Sequence, residues 1–347
     1  MNKRLEKIKQ YMEENSLDSL VVTDRKNMRY LTSYTGEGYL VLGAKENYLV
    51  TDSRYTEQAK VQTSDFEICD IASFKPAEAF GEFSNTGFEN ESISYLGYES
   101  LKKIFKNLTP INGILLDMRA VKSMEEIDKI SKAEQIGDMA FEHILSFIKP
   151  GVAERDLALE IEFFMRKNGA EDLSFSTIVA TGAHSSMPHA EPDDRKIQPG
   201  DLVTMDFGCV YEGYAGDMTR TVCAGKATEE MKNVYNTVLR AQTQSIDMLR
   251  AGVKGSDVHN LAAEIIDSKY PGTFGHGLGH GVGLDVHENP RLSSKSDNIL
   301  VENNVVTVEP GIYIPGLYGV RIEDLVVIKD KNVHNLTKSP KKLIEIW

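Results

Sequence analysis

Two aspartates in the second half of the chain, Asp206 and Asp217, flank a turn in a predicted antiparallel hairpin. A hairpin centred between residues 211 and 212 places the two side chains directly opposite each other on one face. Like charges in this position are destabilising unless something neutralises them, and small or apolar residues surround both carboxylates. A bound cation is therefore the expected partner.

A second acidic pair, Glu309 and Glu323, repeats this arrangement. Glu309 follows the apolar pattern of residues 305–308, and a turn at Pro315-Gly316 separates it from the apolar run that contains Glu323. Four carboxylates balance the charge of two divalent cations. Such an oxygen-rich donor set favours Mn²⁺, with Co²⁺ or Zn²⁺ as alternatives. Two such ions can polarise a carbonyl group and generate hydroxide at neutral pH.

Glycine alternates with other residues between the two pairs, in Gly-His-Gly-Leu-Gly-His-Gly-Val-Gly-Leu-Asp-Val-His-Glu at 275–288. Alternating glycines leave one face of a strand without side chains, so that another backbone can approach closely. A phosphate-binding loop is the competing interpretation, but no Gly-Lys-Ser/Thr follows the glycines. The three histidines of this segment indicate a metal or proton-transfer site instead.

Recurring motifs indicate an internal duplication of the elements that carry these residues. Gly-Val at 151–152, with Asp-Leu at 156–157, has a counterpart 101 residues later, each before a helical pattern. Val-Thr-Met-Asp-Phe-Gly at 203–208 recurs as Val-Thr-Val-Glu-Pro-Gly 103 residues later. Two related halves would bring their acidic pairs together across a pseudo-twofold axis.

A small mixed α/β domain is predicted at residues 1–120, ahead of the duplicated region at 121–347. It begins with a helix that buries residues 5, 8 and 12, and it contains a hairpin of residues 39–42 and 48–50. Further strands are predicted at 20–22, 66–68, 93–95 and 114–116. A capping box at Ser123 and Glu126 opens a long helix after the boundary. The predicted fold class is α/β, more narrowly α+β.

Composition argues against several classes of function. The net charge is −13, from 39 basic and 52 acidic residues, which disfavours binding to nucleic acid or to a membrane surface. No apolar run is long enough for a transmembrane helix, and the charged N-terminus lacks the apolar region of a secretory signal. Three cysteines without a CxxC motif predict free thiols and a cytoplasmic location.

Simpler interpretations apply to several single residues. Arg321 could pair with Glu323 or Asp324 as a structural ion pair, and His184, in a polar loop, is expected to be solvated. No role is assigned to the histidines at positions 143, 259 and 334.

Taken together, the motifs resemble the Xaa-Pro peptidases of the pita-bread metallopeptidase family, which are the Xaa-Pro dipeptidases (prolidases) and Xaa-Pro aminopeptidases. The matching motifs are Met-Asp-Phe-Gly at 205–208, Gly-Asp-Met-Thr-Arg-Thr at 216–221, the Gly/His segment, Val-Glu-Pro-Gly at 308–311 and Arg-Ile-Glu-Asp at 321–324. Residues 1–120 resemble the family's N-terminal domain. The resemblance implies a creatinase/prolidase-like first domain and a pseudo-twofold pita-bread catalytic domain.

The resemblance also implies a site. Two divalent metal ions would be bound by Asp206, Asp217, His280, Glu309 and Glu323. Asp217 and Glu323 would bridge both ions. The further site residues that it implies are His189, His276, His287 and Arg321. Arg291 is a candidate partner for a substrate carboxylate, and a shallow apolar pocket with His189 and His276 would accept proline.

The implied reaction is hydrolysis of the bond between an N-terminal residue and proline, by attack of a metal-bridging hydroxide. His287 would stabilise the oxyanion, and Glu309 would pass a proton to the proline nitrogen. The motifs do not separate dipeptidase from aminopeptidase, and the resemblance implies a homodimer with the N-terminal domain near the partner's site. Methionine aminopeptidases lack the first domain, and creatine amidinohydrolase does not use the metal site. A non-catalytic binding module on the same fold is the alternative from another class.

Overall fold

The computed structural model describes residues 3–347 and divides into two compact units, with the division between Leu115 and Leu116. The domain boundary between residues 120 and 121 stays a prediction. Helix α6 (Ile114–Ala120) spans the division. Within the described residues, no helix combines the length and the apolar character that crossing a bilayer requires.

The first unit is built on a mixed six-stranded sheet in the order β4-β3-β2-β1-β5-β6. Its strands are β1 (Ser19–Val22), β2 (Tyr39–Gly43), β3 (Asn47–Thr51), β4 (Glu67–Asp70), β5 (Thr86–Glu89) and β6 (Leu108–Ile111). Its helices are α1 (Lys3–Glu14), α2 (Arg25–Thr32), α3 (Thr56–Gln62), α4 (Pro76–Phe80) and α5 (Tyr95–Leu101). The β2–β3 pair is the predicted hairpin, and α1 buries the three predicted residues, Leu5, Ile8 and Met12.

Two predicted strands of this region are wrong. Residues 93–95 lead into α5, where the Ser94 side chain accepts a hydrogen bond from the backbone N–H of Gly97 at 3.1 Å and thereby caps the helix. Residues 114–116 begin α6. A segment of three residues does not distinguish a strand from one helical turn, and for residues 93–95 the Ser94 cap favours the helix.

The second unit consists of two halves, each with a helix pair followed by a sheet. The first half contains α7 (Met124–Ile144), α8 (Glu154–Lys167), β7 (Asp172–Leu173), β8 (Ile178–Thr181), β9 (Asp201–Phe207), β10 (Cys209–Tyr211), β11 (Tyr214–Ala215) and β12 (Met218–Ala224). The second half contains α9 (Glu229–Met248), α10 (Gly255–Asp267), β13 (Gly279–Gly281), β14 (Glu288–Leu292), β15 (Val305–Val308), β16 (Gly311–Ile314), β17 (Tyr318–Arg321), β18 (Asp324–Ile328), β19 (Val333–Asn335) and β20 (Glu345–Ile346).

The sheets of the two halves have the orders β20-β12-β9-β8 and β14-β13-β15-β18-β19. The last strand, β20, pairs in parallel with β12 of the first half. Two further small sheets pair β7, β10 and β11, and β16 with β17. Each half has its own hydrophobic core between its helices and its sheet, represented by Ile136 and Met205 in the first and by Val238 and Val306 in the second.

The duplication is visible in single hydrogen bonds. Gly151 and Gly252 both have φ of +87°, a conformation that favours glycine. Gly151 N–H donates to the Ile197 carbonyl at 2.9 Å, and Gly252 N–H donates to the Leu300 carbonyl at 2.8 Å. Helices α8 and α10 therefore begin from equivalent turns, which supports the internal repeat inferred from the sequence.

Candidate metal centre and active site

The four acidic residues occupy related strand positions in the two halves. Asp206 lies near the end of β9, and Glu309 directly follows β15. Asp217 and Glu323 each directly precede a strand, β12 and β18 respectively. Strands β9 and β12 are antiparallel, and so are β15 and β18. In each half, one carboxylate therefore lies at the end of one strand and the other lies at the start of its antiparallel partner.

The register of the first pair differs from the predicted one. Asp206 is paired with Thr219, not with Asp217. The loop is a two-residue turn at Glu212-Gly213, both with positive φ (46° and 86°), so the hairpin is centred between residues 212 and 213. Asp217 is thus diagonal to Asp206 on the same face, which still brings the two carboxylates together.

The second pair has the predicted geometry. Val308 pairs with Asp324 on one side, and Gly311 pairs with Arg321 on the other. The β15–β18 pair and the β16–β17 pair have the same register. Glu309 and Glu323 lie between these two pairs and therefore face each other.

His280 supplies the imidazole of this cluster from the short strand β13. Its Nδ1–H donates to the Gly281 carbonyl at 3.1 Å, so Nε2 carries the lone pair. Nε2 lies 3.6 Å from a carboxylate oxygen of Asp217 and 3.5 Å from one of Glu309. Burial, and then the nearby His287, lower the pKa of His280 to about 3, so the ring is neutral. A lone pair facing two carboxylates is the arrangement that a cation between them would stabilise.

The glycines on either side of His280 permit this placement. A Cβ on Gly279 would lie 2.0 Å from the Thr307 carbonyl oxygen, and one on Gly281 would lie 2.1 Å from that of Asn289. The predicted close backbone approach in the Gly/His segment is therefore present on both sides of the histidine.

The charges of the cluster are poorly compensated by the protein alone. Burial and the neighbouring carboxylates raise the pKa of Asp217 and of Glu309 well above the usual range, and that of Glu323 to about 8. Within the described part of the chain, Asp206 Oδ1 is buried without a hydrogen-bond partner. Ligand atoms of Asp217, His280 and Glu323 all lie within 4.8 Å of one another. These residues fit a site for divalent metal ions, because a cation would satisfy each of these groups.

Arg321 and Thr219 orient two of the carboxylates. The Arg321 guanidinium donates to Asp206 Oδ2 at 2.5 Å and to Thr219 Oγ1 at 3.0 Å. Thr219 Oγ1 in turn donates to Glu323 Oε2 at 2.7 Å. Arg321 does not form the simple ion pair with Glu323 or Asp324 that the sequence left open. Asp324 instead pairs with the buried Arg220 at 2.8 Å.

Tyr313 connects Arg321 to His276 and was not singled out from the sequence. Its hydroxyl accepts from Arg321 at 2.9 Å and lies 2.9 Å from His276 Nε2. The ring covers Gly311 and Gly319, where a Cβ would lie within 2.8 Å of its atoms. A tyrosine two residues after a strand glycine, opposite another glycine, is the signal that could have identified it.

These residues surround a cavity of about 590 Å³ in the second unit. All five candidate ligands line it, together with His189, His276, His287, Arg291 and Arg321. Its apolar wall consists of Phe175, Ile178, Pro188, Ala190 and Pro192. The His287 ring is exposed and meets the His280 ring edge to face at 4.4 Å. The exposed Arg291 has no carboxylate within 4.0 Å among residues 3–347.

His184 differs from its prediction as a solvated residue. It is buried, and its Nδ1 lies 2.8 Å from Glu154 Oε2 at the start of α8. Glu154 also accepts from the backbone N–H of Thr181 at 2.7 Å. The Glu154 carboxylate, 30 residues earlier in the chain, thus holds the His184 loop in the interior. The local composition of the loop cannot indicate this contact.

A second group missed from the sequence holds the loop of His287. The buried Glu288 accepts hydrogen bonds from Arg119 at 2.5 Å, from Lys122 at 3.1 Å and from the backbone N–H of Asp285 at 3.0 Å. This carboxylate is the centre of a buried ionic network directly beside His287.

Comparison with known proteins agrees with this architecture. Residues 128–330 match metallopeptidase family M24, and residues 4–121 match the creatinase/prolidase N-terminal domain. The chain belongs to metallopeptidase family M24. It is therefore a peptidase whose family membership implies divalent metal ions, and its second unit has the pita-bread fold.

Among M24 relatives, the Xaa-Pro dipeptidase of Pyrococcus furiosus is 37% identical over an alignment of 353 residues. The alignment covers 99% of this chain and 100% of the relative. An Xaa-Pro dipeptidase structure from Bacillus anthracis has a TM-score of 0.95 at 39% identity and covers 99% of both chains. An X-Pro aminopeptidase structure from Thermotoga maritima has a TM-score of 0.89 at 35% identity and covers 95% of this chain and 97% of that chain.

Proposed function

We propose that the protein is an Xaa-Pro dipeptidase that uses two divalent metal ions. The observation that carries this proposal is the convergence of four carboxylates and a neutral imidazole nitrogen on one cavity. The residues that would hold the ions are Asp206, Asp217, His280, Glu309 and Glu323, and we propose that Asp217 and Glu323 would serve both ions. The oxygen-rich set favours Mn²⁺, with Co²⁺ or Zn²⁺ as alternatives.

When bound, the ions would polarise the scissile carbonyl group and lower the pKa of water. The protein's side chains supply the remaining steps. Glu309 is partly exposed and lines the cavity, so its carboxylate can accept a proton and deliver it to the leaving proline nitrogen. The exposed His287 can donate a hydrogen bond to the carbonyl oxygen as negative charge develops there.

Selection of proline follows from the shape of the cavity. The apolar wall at Phe175, Ile178 and Pro192 suits a pyrrolidine ring. A tertiary amide has no N–H to satisfy, so a wall without a hydrogen-bond acceptor costs it nothing. His189 and His276 line the same cavity and would complete the pocket.

The guanidinium of Arg291, which has no carboxylate partner among residues 3–347, favours the dipeptidase over the aminopeptidase. In an Xaa-Pro dipeptide the carboxylate follows proline directly, and a guanidinium at the cavity binds a carboxylate in a bidentate manner. The dipeptidase relatives support the same choice. The second candidate is an Xaa-Pro aminopeptidase, which the similarity to the Thermotoga maritima structure favours.

Hydrolysis of a dipeptide ending in proline, compared with a tripeptide that has proline second, tests the proposal in the presence of Mn²⁺. We expect cleavage of the dipeptide and little cleavage of the tripeptide. Preferred cleavage of the tripeptide would select the aminopeptidase. If the wild-type protein binds Mn²⁺ but cleaves neither peptide, the non-catalytic binding module replaces both.

Two variants separate the roles within this test. Asp217→Asn removes a proposed shared ligand and should abolish both Mn²⁺ binding and hydrolysis. Arg291→Met should raise the KM for the dipeptide while leaving Mn²⁺ binding intact. Full activity of the Asp217 variant would refute the ligand assignment.

We also infer a homodimer, as the family resemblance implies, which sedimentation velocity would test. The three cysteines are free and buried, which is consistent with the inferred cytoplasmic location.

A further inference from the structure

Glu134 is a buried carboxylate directly beneath the proposed metal centre. It lies on α7, its side chain is 1% exposed, and no salt bridge joins it to a basic residue among residues 3–347. Its Oε2 accepts a hydrogen bond from the backbone N–H of Asp217 at 3.0 Å. The main chain of one proposed shared ligand is therefore bound to this carboxylate.

The other oxygen of Glu134 connects to the second half of the unit. Oε1 accepts from the Thr337 hydroxyl at 2.5 Å, and Thr337 Oγ1 accepts from the backbone N–H of Leu325 at 2.8 Å. Leu325 lies two residues after Glu323, the other proposed shared ligand. One side chain thus connects the segments that carry Asp217 and Glu323.

Close packing holds α7 in this position. A Cβ on Gly216 would lie 3.0 Å from the backbone of Ala133 and of Glu134. The helix backbone therefore rests directly on the residue before Asp217. Neither Glu134 nor Thr337 lines the cavity, so they do not contact substrate there.

We propose that Glu134, through Thr337, is a positioning residue that sets the spacing of Asp217 and Glu323 across the two halves. This inference rests on the proposed function, because it requires both residues to bind the same ions. A ligand pair shared by two ions tolerates little change in separation, and partners that orient ligands typically contribute about 10–100-fold to metal affinity.

Asp138 provides a matched control on the same helix, one turn further on. Its carboxylate accepts hydrogen bonds from the backbone N–H groups of Lys338 and Ser339 at 2.8 and 2.7 Å. It anchors the same C-terminal segment as Glu134 but contacts neither ligand segment. Asp138→Ala should lower stability without changing metal binding.

The experiment measures Mn²⁺ binding to the full-length protein by equilibrium dialysis with elemental analysis, and the electron paramagnetic resonance spectrum of the loaded protein. In Glu134→Ala we expect at least one Mn²⁺ to bind about 10–100-fold more weakly. The exchange-coupled spectrum of an ion pair should give way to the six-line signal of isolated Mn²⁺. Glu134→Gln retains the shape and one acceptor, and it should restore binding to within a few fold.

Thr337→Val removes only the hydroxyl and keeps the test decisive if Glu134→Ala does not fold. It should also weaken Mn²⁺ binding, while Asp138→Ala should not. Wild-type affinity and a coupled spectrum in Glu134→Ala or Thr337→Val would overturn the proposal, as would equal losses in the Gln and Ala variants. Failure of the wild type itself to bind Mn²⁺, Co²⁺ or Zn²⁺ would instead refute the proposed function.

Discussion

At the scale of single residues, the row Arg321, Tyr313, His276 defines the tautomer of one histidine beside the centre. His276 Nδ1 donates to the Gly277 carbonyl at 2.8 Å, so Nε2 accepts from Tyr313. The Tyr313 hydroxyl can donate to the imidazole because Arg321 uses its other side. The hydrogen-bond directions therefore define one tautomer of His276.

Replacing Tyr313 with Phe should remove this connection. We expect kcat/KM for an Xaa-Pro dipeptide to fall about 10-fold, because Arg321 and His276 each lose an orienting partner. Steady-state kinetics in the presence of Mn²⁺ would measure the loss. Tyr318→Phe is the control, since the buried Tyr318 hydroxyl has no hydrogen-bond partner in the structure. Equal losses in both variants would contradict a specific role for Tyr313.

The ionisation of His276 should make stability depend on pH. Burial, and then the positive charge of Arg321, lower the pKa of His276 to about 4 from 6.5. Because the unfolded chain binds this proton first, stability is lost as the pH falls from about 6.5 towards 4, by up to about 3 kcal/mol. Denaturant unfolding of wild type and His276→Gln across this range should reveal the difference. A pH-independent difference between the two proteins would exclude the lowered pKa.

At the scale of elements, the ionic network around Glu288 ties the segment before α7 to the loop that carries His287. Lys122 is fully buried, and burial lowers its pKa although Glu288 opposes the shift. Arg119 is 3% exposed and donates to the same carboxylate. Removing the carboxylate would leave two buried cations without their common partner.

We therefore expect Glu288→Ala to destabilise the protein by about 3–5 kcal/mol, the range for breaking a buried ion pair on one side. Urea unfolding monitored by circular dichroism would measure it. Asp285→Ala removes the more exposed partner of Arg119, at 2.8 Å, and should cost much less. Similar losses in the two variants would show that burial does not determine the contribution.

The register between paired strands was the feature that the sequence predicted least well. The types of ligand at the centre could be predicted because acidic residues recur beside apolar strands. The duplication could be predicted from two motifs that recur at similar spacings. The hairpin register was misplaced because it depends on which two residues adopt positive φ, here Glu212 and Gly213. Glu288 and Glu134 act through partners far away in sequence, which no local pattern specifies. Tyr313 was marked only by its position between two glycines.

At the scale of the whole molecule, the centre is shared between halves that each have a core of their own. Asp206 and Asp217 come from the sheet of the first half, and Glu309 and Glu323 come from that of the second. Four carboxylates repel one another without cations, so metal binding and folding of the second unit should be coupled.

Removing metal should accordingly lower the melting temperature. Ions that bind only the folded state contribute about 2.7 kcal/mol for each site at a free concentration 100 times the Kd. Differential scanning calorimetry with EDTA and with Mn²⁺ would measure the shift. Asp217→Asn should melt at nearly the same temperature under both conditions. An EDTA-insensitive wild type would argue against ions in the centre.

The bond between Glu134 and Thr337 also has a consequence for protein synthesis. Residue 337 leaves the ribosome after Asp217 and Glu323, yet it completes the contacts that connect their segments. A nascent chain can build the first unit, and then the helices and strands β7 to β12 of the first half, while β20 is still missing from their sheet and the carboxylates lack their final support. Peptidase activity should therefore arise in one late event rather than grow as the chain lengthens.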